Sequence, residues 1–299
     1  MRACYSDQYA IPLPPGHTFP IEKYRLIREQ LLAEGTLRPA ELLLPSLAHP
    51  EDVCQAHARS YWEQVESGRL SASAARRIGL PWSQDLVRRA QASAQGTLTA
   101  ARIALQEGIG INLAGGTHHA FADRGEGYCL LNDIAIAARC LQRDWWMQRM
   151  AVIDCDVHQG NGTASIFAGD PDVFTFSIHS ANNYPLQKVP GHLDLALPDR
   201  TEDEAYLQAL EPVVAQILAE FRPGLVFYQA GVDPHERDRL GRLALTHAGL
   251  LARDTLVLGA CREANVPVVV TLGGGYGKDL RDTVEAHCNT VRTARRLFR

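Results

Sequence analysis

Two histidines stand side by side, His118 and His119, after the short apolar stretch I-N-L-A-G-G-T. Imidazole titrates near neutrality, so a converging pair suits general acid–base work, although it also suits a hydrogen-bonded turn. A second cluster follows the apolar run Met150–Cys155, where D-C-D-V-H-Q-G-N-G supplies Asp154, Asp156, His158 and Asn161. Asp156 and His158 are two apart, so on extended backbone they project to one side and could share a divalent ion. Taken alone, the same pair could simply cap the helix that follows. A third segment, Y-Q-A-G-V-D-P-H-E-R-D, delivers Asp233 beyond another apolar run. Two carboxylates and one imidazole leave a coordination position for water, which is the pattern of a catalytic zinc rather than a structural one. Asp154 alternates to the same side as Asp156, and it could fix the tautomer of a histidine and favour its charged form.

A fourth motif, L-G-G-G-Y-G, closes the run Val266–Leu272. Glycines after a strand suggest a phosphate cradle, but neither G-x-G-x-x-G nor G-K-[ST] is present. The alternative is a tight turn that presents Tyr276 to a cleft, where a phenol could donate to a developing oxyanion. Gly127, Tyr128 and the Tyr184-Pro185 pair read as channel walls or as ordinary packing. Ser177 and His179, at the end of F-T-F-S-I-H-S, could satisfy buried backbone. The basic pairs Arg76-Arg77, Arg88-Arg89 and Arg295-Arg296 read as solvated faces.

These residues need a scaffold that gathers loop ends. Candidate strands are Ala3–Tyr5, Ile111–Leu113, Met150–Cys155, Val173–Ile178, Gly224–Gln229 and Val266–Leu272. Their central members are continuous apolar runs, as expected of parallel strands covered on both faces. Between them, Glu22–Glu34 places Tyr24, Ile27 and Leu31 on one helical face. Thr201 and Glu204 predict a capping box for a helix in which Pro212 is an internal departure. Thr246–Ala264 and Gly277–Leu297 predict two further crossover helices, and the stretch from Gly35 to Ser83 predicts an irregular appendage. The expected fold is a single α/β domain over residues 1–299, a parallel sheet flanked by helices on both faces, with ligands at the strands' carboxyl ends.

Composition limits the function classes. Of 299 residues 46% are hydrophobic and 21% charged, which excludes wholesale disorder and coiled coil. A net charge of −4 argues against direct nucleic-acid binding. Only Lys23, Lys188 and Lys278 among 30 basic residues are lysine, which we read as a GC-rich, bacterial coding bias. The seven cysteines are scattered without C-x-x-C spacing, so neither a disulfide framework nor a Cys-rich zinc site is expected. No apolar run reaches the ~20 residues of a membrane helix, and the N-terminus lacks an apolar signal core. The expected setting is cytoplasmic.

In this order, GGTHHAFADRGEGYCLLNDIAIAA, VIDCDVHQGNGTASIF, FSIHS, YQAGVDPHERDRLGRLALT and TLGGGYG resemble the zinc-dependent histone deacetylase family of the arginase/deacetylase superfamily. The D-x-H-Q-G-N-G form is most similar to the class IV branch and its bacterial relatives, acetoin-utilisation-type proteins included. The resemblance implies a tunnel ending at one zinc ion, with ferrous iron as the other candidate metal. Asp156, His158 and Asp233 match the metal ligands, His118 and His119 the tandem catalytic histidines, and Tyr276 the carbonyl-polarising tyrosine. Gly127, Tyr128, Tyr184 and Leu240 match the tunnel wall. A structural potassium site is implied at Asp154, Ser177 and the main-chain oxygens of Asp156, His158 and Ile178. Phe167 and Val173 correspond to parts of a second one.

Two departures stand out. Asn161 occupies the position where class I members carry an Asp behind the second histidine, and Tyr128 and Tyr184 replace the more usual Phe. The implied activity is hydrolysis of an acyl-lysine amide, acetyl or longer, in a protein substrate. The alternatives are an amidohydrolase acting on acetylated polyamines or similar small amines, and a non-catalytic acyl-lysine binder.

Overall fold

The computed structural model describes residues 1–9 and 11–298. Eight strands form one sheet: β1 Arg2–Cys4, β2 Leu42–Leu43, β3 Ile109–Asn112, β4 Met150–Asp154, β5 Val173–Ser180, β6 Leu193–Leu197, β7 Leu225–Gln229 and β8 Val268–Thr271. Their order is β2-β1-β3-β8-β7-β4-β5-β6, and every pairing is parallel.

The apolar runs are continuous because successive side chains serve two cores. In β4, Ala151 and Ile153 join one buried cluster while Met150 and Val152 join the other. In β7, Val226 and Tyr228 face the first cluster, Leu225 and Phe227 the second. The helices Lys23–Ala33, Asp203–Gln216, His247–Glu263 and Leu280–Leu297 cover the first face. The helices Arg59–Ser67, Gln84–Glu107 and Asp133–Trp145 cover the second. The expected parallel sheet with helices on both faces is what the chain forms.

Several expectations are corrected. The stretch from Gly35 to Ser83 is not an appendage: it contributes β2, and Tyr61, Trp62, Val65 and Ile78 are buried in the second core. The Thr201–Glu204 box does not form. Asp203 instead accepts from the Thr246 amide (2.8 Å) and hydroxyl (2.6 Å), and the helix starts at Asp203 with no side-chain cap. That helix runs on through Pro212 and widens into a π-helical turn at Ile217–Phe221. Arg89 does not lie on a solvated face. It is buried beside a cleft with its guanidinium 4.4 Å from the Tyr24 ring centroid, whereas Arg88 is exposed. Among the described residues no helix is long and apolar enough to cross a membrane.

Strand order decides where the site lies. β3, β8, β7 and β4 are consecutive in the sheet, and each runs directly into one of the polar loops. Four segments dispersed over more than 150 residues therefore open at one sheet end, the position where parallel α/β proteins bind ligands.

Candidate active site

β4 ends at Asp154, and the chain bends through Asp156–His158 rather than staying extended as expected, which brings both side chains to the site, while the loop after β7 delivers Asp233. The potential ligand atoms of these three buried residues lie within 4.8 Å of one another. His158 Nδ1 is 3.0 Å from Asp156 Oδ1 and 3.1 Å from Asp233 Oδ2. The remaining carboxylate oxygens are anchored: Asp156 Oδ2 accepts from Gln229 Nε2 (3.0 Å) and the Gly274 amide (2.8 Å), and Asp233 Oδ1 from the Val157 amide (2.9 Å). Both aspartates are thus held from behind while a second oxygen of each faces His158 Nδ1, the kind of arrangement that outer hydrogen bonds enforce around a metal.

Electrostatics support the same fit. Two buried carboxylates this close cannot both stay ionised without a cation. Burial and then the Asp156 charge push Asp233 up to about 7, while Asp156 itself falls well below the ordinary range. Asp156 is accordingly the ionised member and Asp233 the one that gains proton affinity. Burial opposes the charged form of His158, but the Asp156 and Asp233 hydrogen bonds outweigh it and raise its pKa to about 10. A side chain on Gly274 would run into the Asp233 carboxylate, so the loop leaves that space to the ligand atoms. Buried oxygen and nitrogen donors of this kind fit a divalent ion.

The tandem histidines are held differently from each other. His118 Nδ1 is 2.6 Å from Asp154 Oδ2, and its Nε2 is 3.8 Å from Asp156 Oδ1. Burial disfavours its charge, yet the two aspartates prevail and raise its pKa to about 9. His119 Nδ1 faces Asn161 Oδ1 at 2.7 Å. Burial, and then the His118 and His158 charges, hold His119 well below the usual histidine range. The rings are 4.1 Å apart, one poised as a cation and the other neutral. Their shared turn is fixed by Asp133, which accepts from the Gly116 amide (3.1 Å) and the Thr117 amide (2.7 Å).

Tyr276 completes the cleft, its ring centroid 6.5 Å from that of His158. Its amide donates to Asp238 Oδ2 (2.6 Å) and its carbonyl accepts from Arg239 Nε (2.8 Å). Burial, then Asp233 and Asp156, raise its pKa well above the ordinary phenol value, so the hydroxyl keeps its proton. The wholly buried Lys23 donates to the carbonyls of Gly273 (2.9 Å) and Gly275 (3.4 Å), bracing this turn from behind.

The expected wall residues divide. Gly127 and Tyr128 line a narrow cleft of about 70 Å³ together with both histidines, Asp156, His158 and Tyr276. A Cβ on Gly127 would meet His119 at 2.6 Å, so only glycine leaves this passage open. Tyr184 stands edge-on over His119, with 4.9 Å between centroids. Leu240 is half-buried, its carbonyl accepting from Asn183 Nδ2 (2.8 Å), and like Tyr184 it is not among the residues enclosing those 70 Å³. Asp154 and Ser177 are register partners of β4 and β5, with Ile178 the next residue along. Phe167 and Val173 are packed in the second core.

Sequence reading missed Gln229, Asp133, Lys23, Arg89, Asp238 and Glu126. For Gln229 a local signal existed, because it is the last residue of an apolar strand just before the Asp233 loop. Asp238 lies in the same loop as Asp233 but holds the Tyr276 turn, and the others reach their partners across intervening chain. A further missed residue is His57. Its ring nitrogens lie 2.9 Å from the Phe121 carbonyl and 2.9 Å from the Asn132 amide, which closes the loop carrying Gly127 and Tyr128. The Asn132 amide can only donate, so the ring must be the neutral Nδ1–H tautomer.

Burial lowers the His57 pKa from 6.5 to about 4. Below pH 6.5 the unfolded chain takes up a proton that the folded one refuses, so this contribution is complete above 6.5 and fades as pH falls to 4. The loss is about 3 kcal/mol. Urea unfolding at pH 7, 5.5 and 4 should show a His57→Leu variant with a flatter pH dependence than wild type. Parallel curves would remove His57 from this role.

The histone deacetylase domain family model matches residues 17–291. An uncharacterized protein of Picosynechococcus sp. is 45% identical over 294 residues, covering 98% of each chain. Acetoin utilization protein AcuC of Staphylococcus aureus is 30% identical over 284 residues, 87% of this chain and 72% of that one. Histone deacetylase 2 of Arabidopsis thaliana is 28% identical over 297 residues, 94% of this chain and 77% of that one. The crystal structure of the HDA15 HD domain matches with a TM-score of 0.82 at 22% identity, covering 98% of this chain and 87% of that chain, which shows a shared fold. The match along nearly the whole chain, on a sheet of the arginase/deacetylase type, places this protein in the histone deacetylase family.

Proposed function

We propose that the chain, acting as one catalytic domain, is a zinc-dependent hydrolase that removes acyl groups from lysine side chains. The observation carrying this reading is the convergence, in one narrow cleft, of Asp156, His158 and Asp233 with His118, His119 and Tyr276. The three ligands would hold a zinc ion, which when bound supplies a Lewis acid that acidifies water and polarises a carbonyl. His119, neutral and hydrogen-bonded through Nδ1, accepts the water proton at Nε2. His118, held as imidazolium by Asp154, stabilises negative charge and supplies a proton to the leaving amine. Tyr276 donates its phenol proton in a hydrogen bond to the carbonyl oxygen as that oxygen becomes negative. The walls of Gly127, Tyr128 and Tyr184 admit a slender chain ending in a neutral amide, since a free ammonium would meet the His118 charge. Potassium beside Asp154 and Ser177 would serve a structural role, balancing the buried aspartate.

Screening the zinc-loaded protein against lysine peptides of graded acyl length, alongside acetylated polyamines, tests this reading. Turnover of acyl-lysine peptides is expected. Turnover of polyamines alone would make it a small-amine hydrolase, and peptide binding without turnover would make it a reader of acyl-lysine. Elemental analysis should find one tightly held divalent ion per chain, because Asp156, His158 and Asp233 are the only cluster of this kind among the described residues. Two transition metals per chain would contradict the single-ion mechanism.

A further inference from the structure

We propose that Glu126 is a positioning residue for His119, acting through Asn161. The inference rests on the proposed hydrolysis, in which His119 is the base. Asn161 Nδ2 lies 2.7 Å from Glu126 Oε1, on the opposite side of the amide from the 2.7 Å contact between Asn161 Oδ1 and His119 Nδ1. An amide is nearly symmetric in shape, and by itself it could offer His119 either its oxygen or its NH2 group. A carboxylate only accepts. Glu126 therefore obliges Asn161 to turn its NH2 outward and its oxygen to His119. That oxygen can be satisfied only by an Nδ1–H tautomer, which leaves the lone pair on Nε2, where a base needs it. Asn161 is 2% exposed and His119 4%, so water does not compete for these positions.

The two departures noted in the sequence both lie against His119, and one of them bonds this carboxylate. Asn161 stands in place of an Asp, and Tyr184 in place of a Phe. The Tyr184 ring stands edge-on to His119, 4.9 Å between centroids, and burial, followed by the Glu126 charge, keeps its phenol protonated. Glu126 is nearly buried, with Arg124 Nε 3.8 Å from its other oxygen, and a backbone bridge to Cys129 holds it in place. The negative charge thus sits one side chain farther from the base than a directly bonded Asp would place it. Orientation is passed on through the amide, while the field that would hold His119 as an imidazolium is weakened by distance.

The test compares zinc-loaded wild type with Glu126→Gln, Asn161→Asp and the double variant. Glutamine can donate as well as accept, so the orientation of Asn161 is no longer imposed. Glu126→Gln should lower kcat by about 10–100-fold with KM within about twofold. Asn161→Asp alone sets two carboxylates in contact and should also lower kcat. Combined with Glu126→Gln, it should restore kcat to within about threefold of wild type, because an acceptor then faces His119 unconditionally. A purely structural role would give accumulating losses in the double variant, which would overturn the proposal. ¹⁵N NMR of His119 offers a readout that needs no turnover: one Nδ1–H tautomer in wild type and a mixture in Glu126→Gln. Wild-type kcat and an unchanged tautomer in Glu126→Gln would remove Glu126 from the mechanism. If wild type hydrolyses no acyl amide but the tautomer still shifts, the hydrolase reading falls and the positioning assignment stands.

Discussion

Tyr276→Phe is expected to lose about 10²–10³ in kcat, with KM, metal content and melting temperature close to wild type. The phenol is buried among Asp233, Asp156 and the neighbouring rings, so it remains a neutral donor across the working pH range. Phenylalanine keeps the ring against Phe19, Tyr128 and His158 and deletes only the hydroxyl. The backbone bonds to Asp238 and Arg239 do not depend on the side chain, so the turn is retained. If the donor acts mainly on the developing oxyanion, its removal costs about 2.7–4 kcal/mol in the transition state and little in substrate binding. The measurement should use a peptide amide, because an activated ester would mask the defect. Wild-type kcat on an amide would make Tyr276 a wall residue.

Asp156→Ala and His158→Ala are each expected to abolish hydrolysis while the chain still folds. Both residues lie beyond the end of β4, outside the apolar layers that hold the sheet together. Asp156→Ala also strands the Gly274 amide and the Gln229 side chain, at about 1–3 kcal/mol for each buried donor left unpaired. Relief of the repulsion between Asp156 and Asp233 offsets part of that cost. His158→Ala deletes one ligand and leaves those anchors intact, so it should be the more stable of the two. Elemental analysis should show the bound ion lost from both, with far-ultraviolet circular dichroism unchanged and melting still cooperative. Loss of cooperative melting in both would assign them to the fold, and turnover in ion-free protein would refute the metal-dependent mechanism outright.

The central strands β4, β7 and β8 were legible because burial on both faces demands near-continuous apolar runs, and β5, V-F-T-F-S-I-H-S, because its β-branched and aromatic residues alternate with polar ones. The edges were not. β2 is only two residues long, and β6 is a half-buried L-D-L-A-L that pairs on one side only. The longest helix, Gln84–Glu107, escaped notice because its buried face is largely Ala, Gly, Ser and Thr, and Gly110 packs against the Ala100 backbone. In the same helix a rotation of about 100° per residue sends Arg88 outward and Arg89 into the cleft, although the two look alike in the sequence.

Chemistry written within a few residues was equally readable. The spacing of Asp156 and His158, the adjacent His118 and His119, and the glycines before Tyr276 each state what a loop can present. Whether those loops meet is a question of strand order. Asp233 reaches His158 because β7 pairs with β4, and Tyr276 joins them because β8 pairs with β7. Glu126 and Asn161 are 35 residues apart and share no pattern, so only the packed structure makes them partners. Local spacing is set by backbone geometry that any short segment carries with it. Register, strand order and the pairing of buried polar groups are decided by the simultaneous burial of both faces of one sheet, which no single segment encodes.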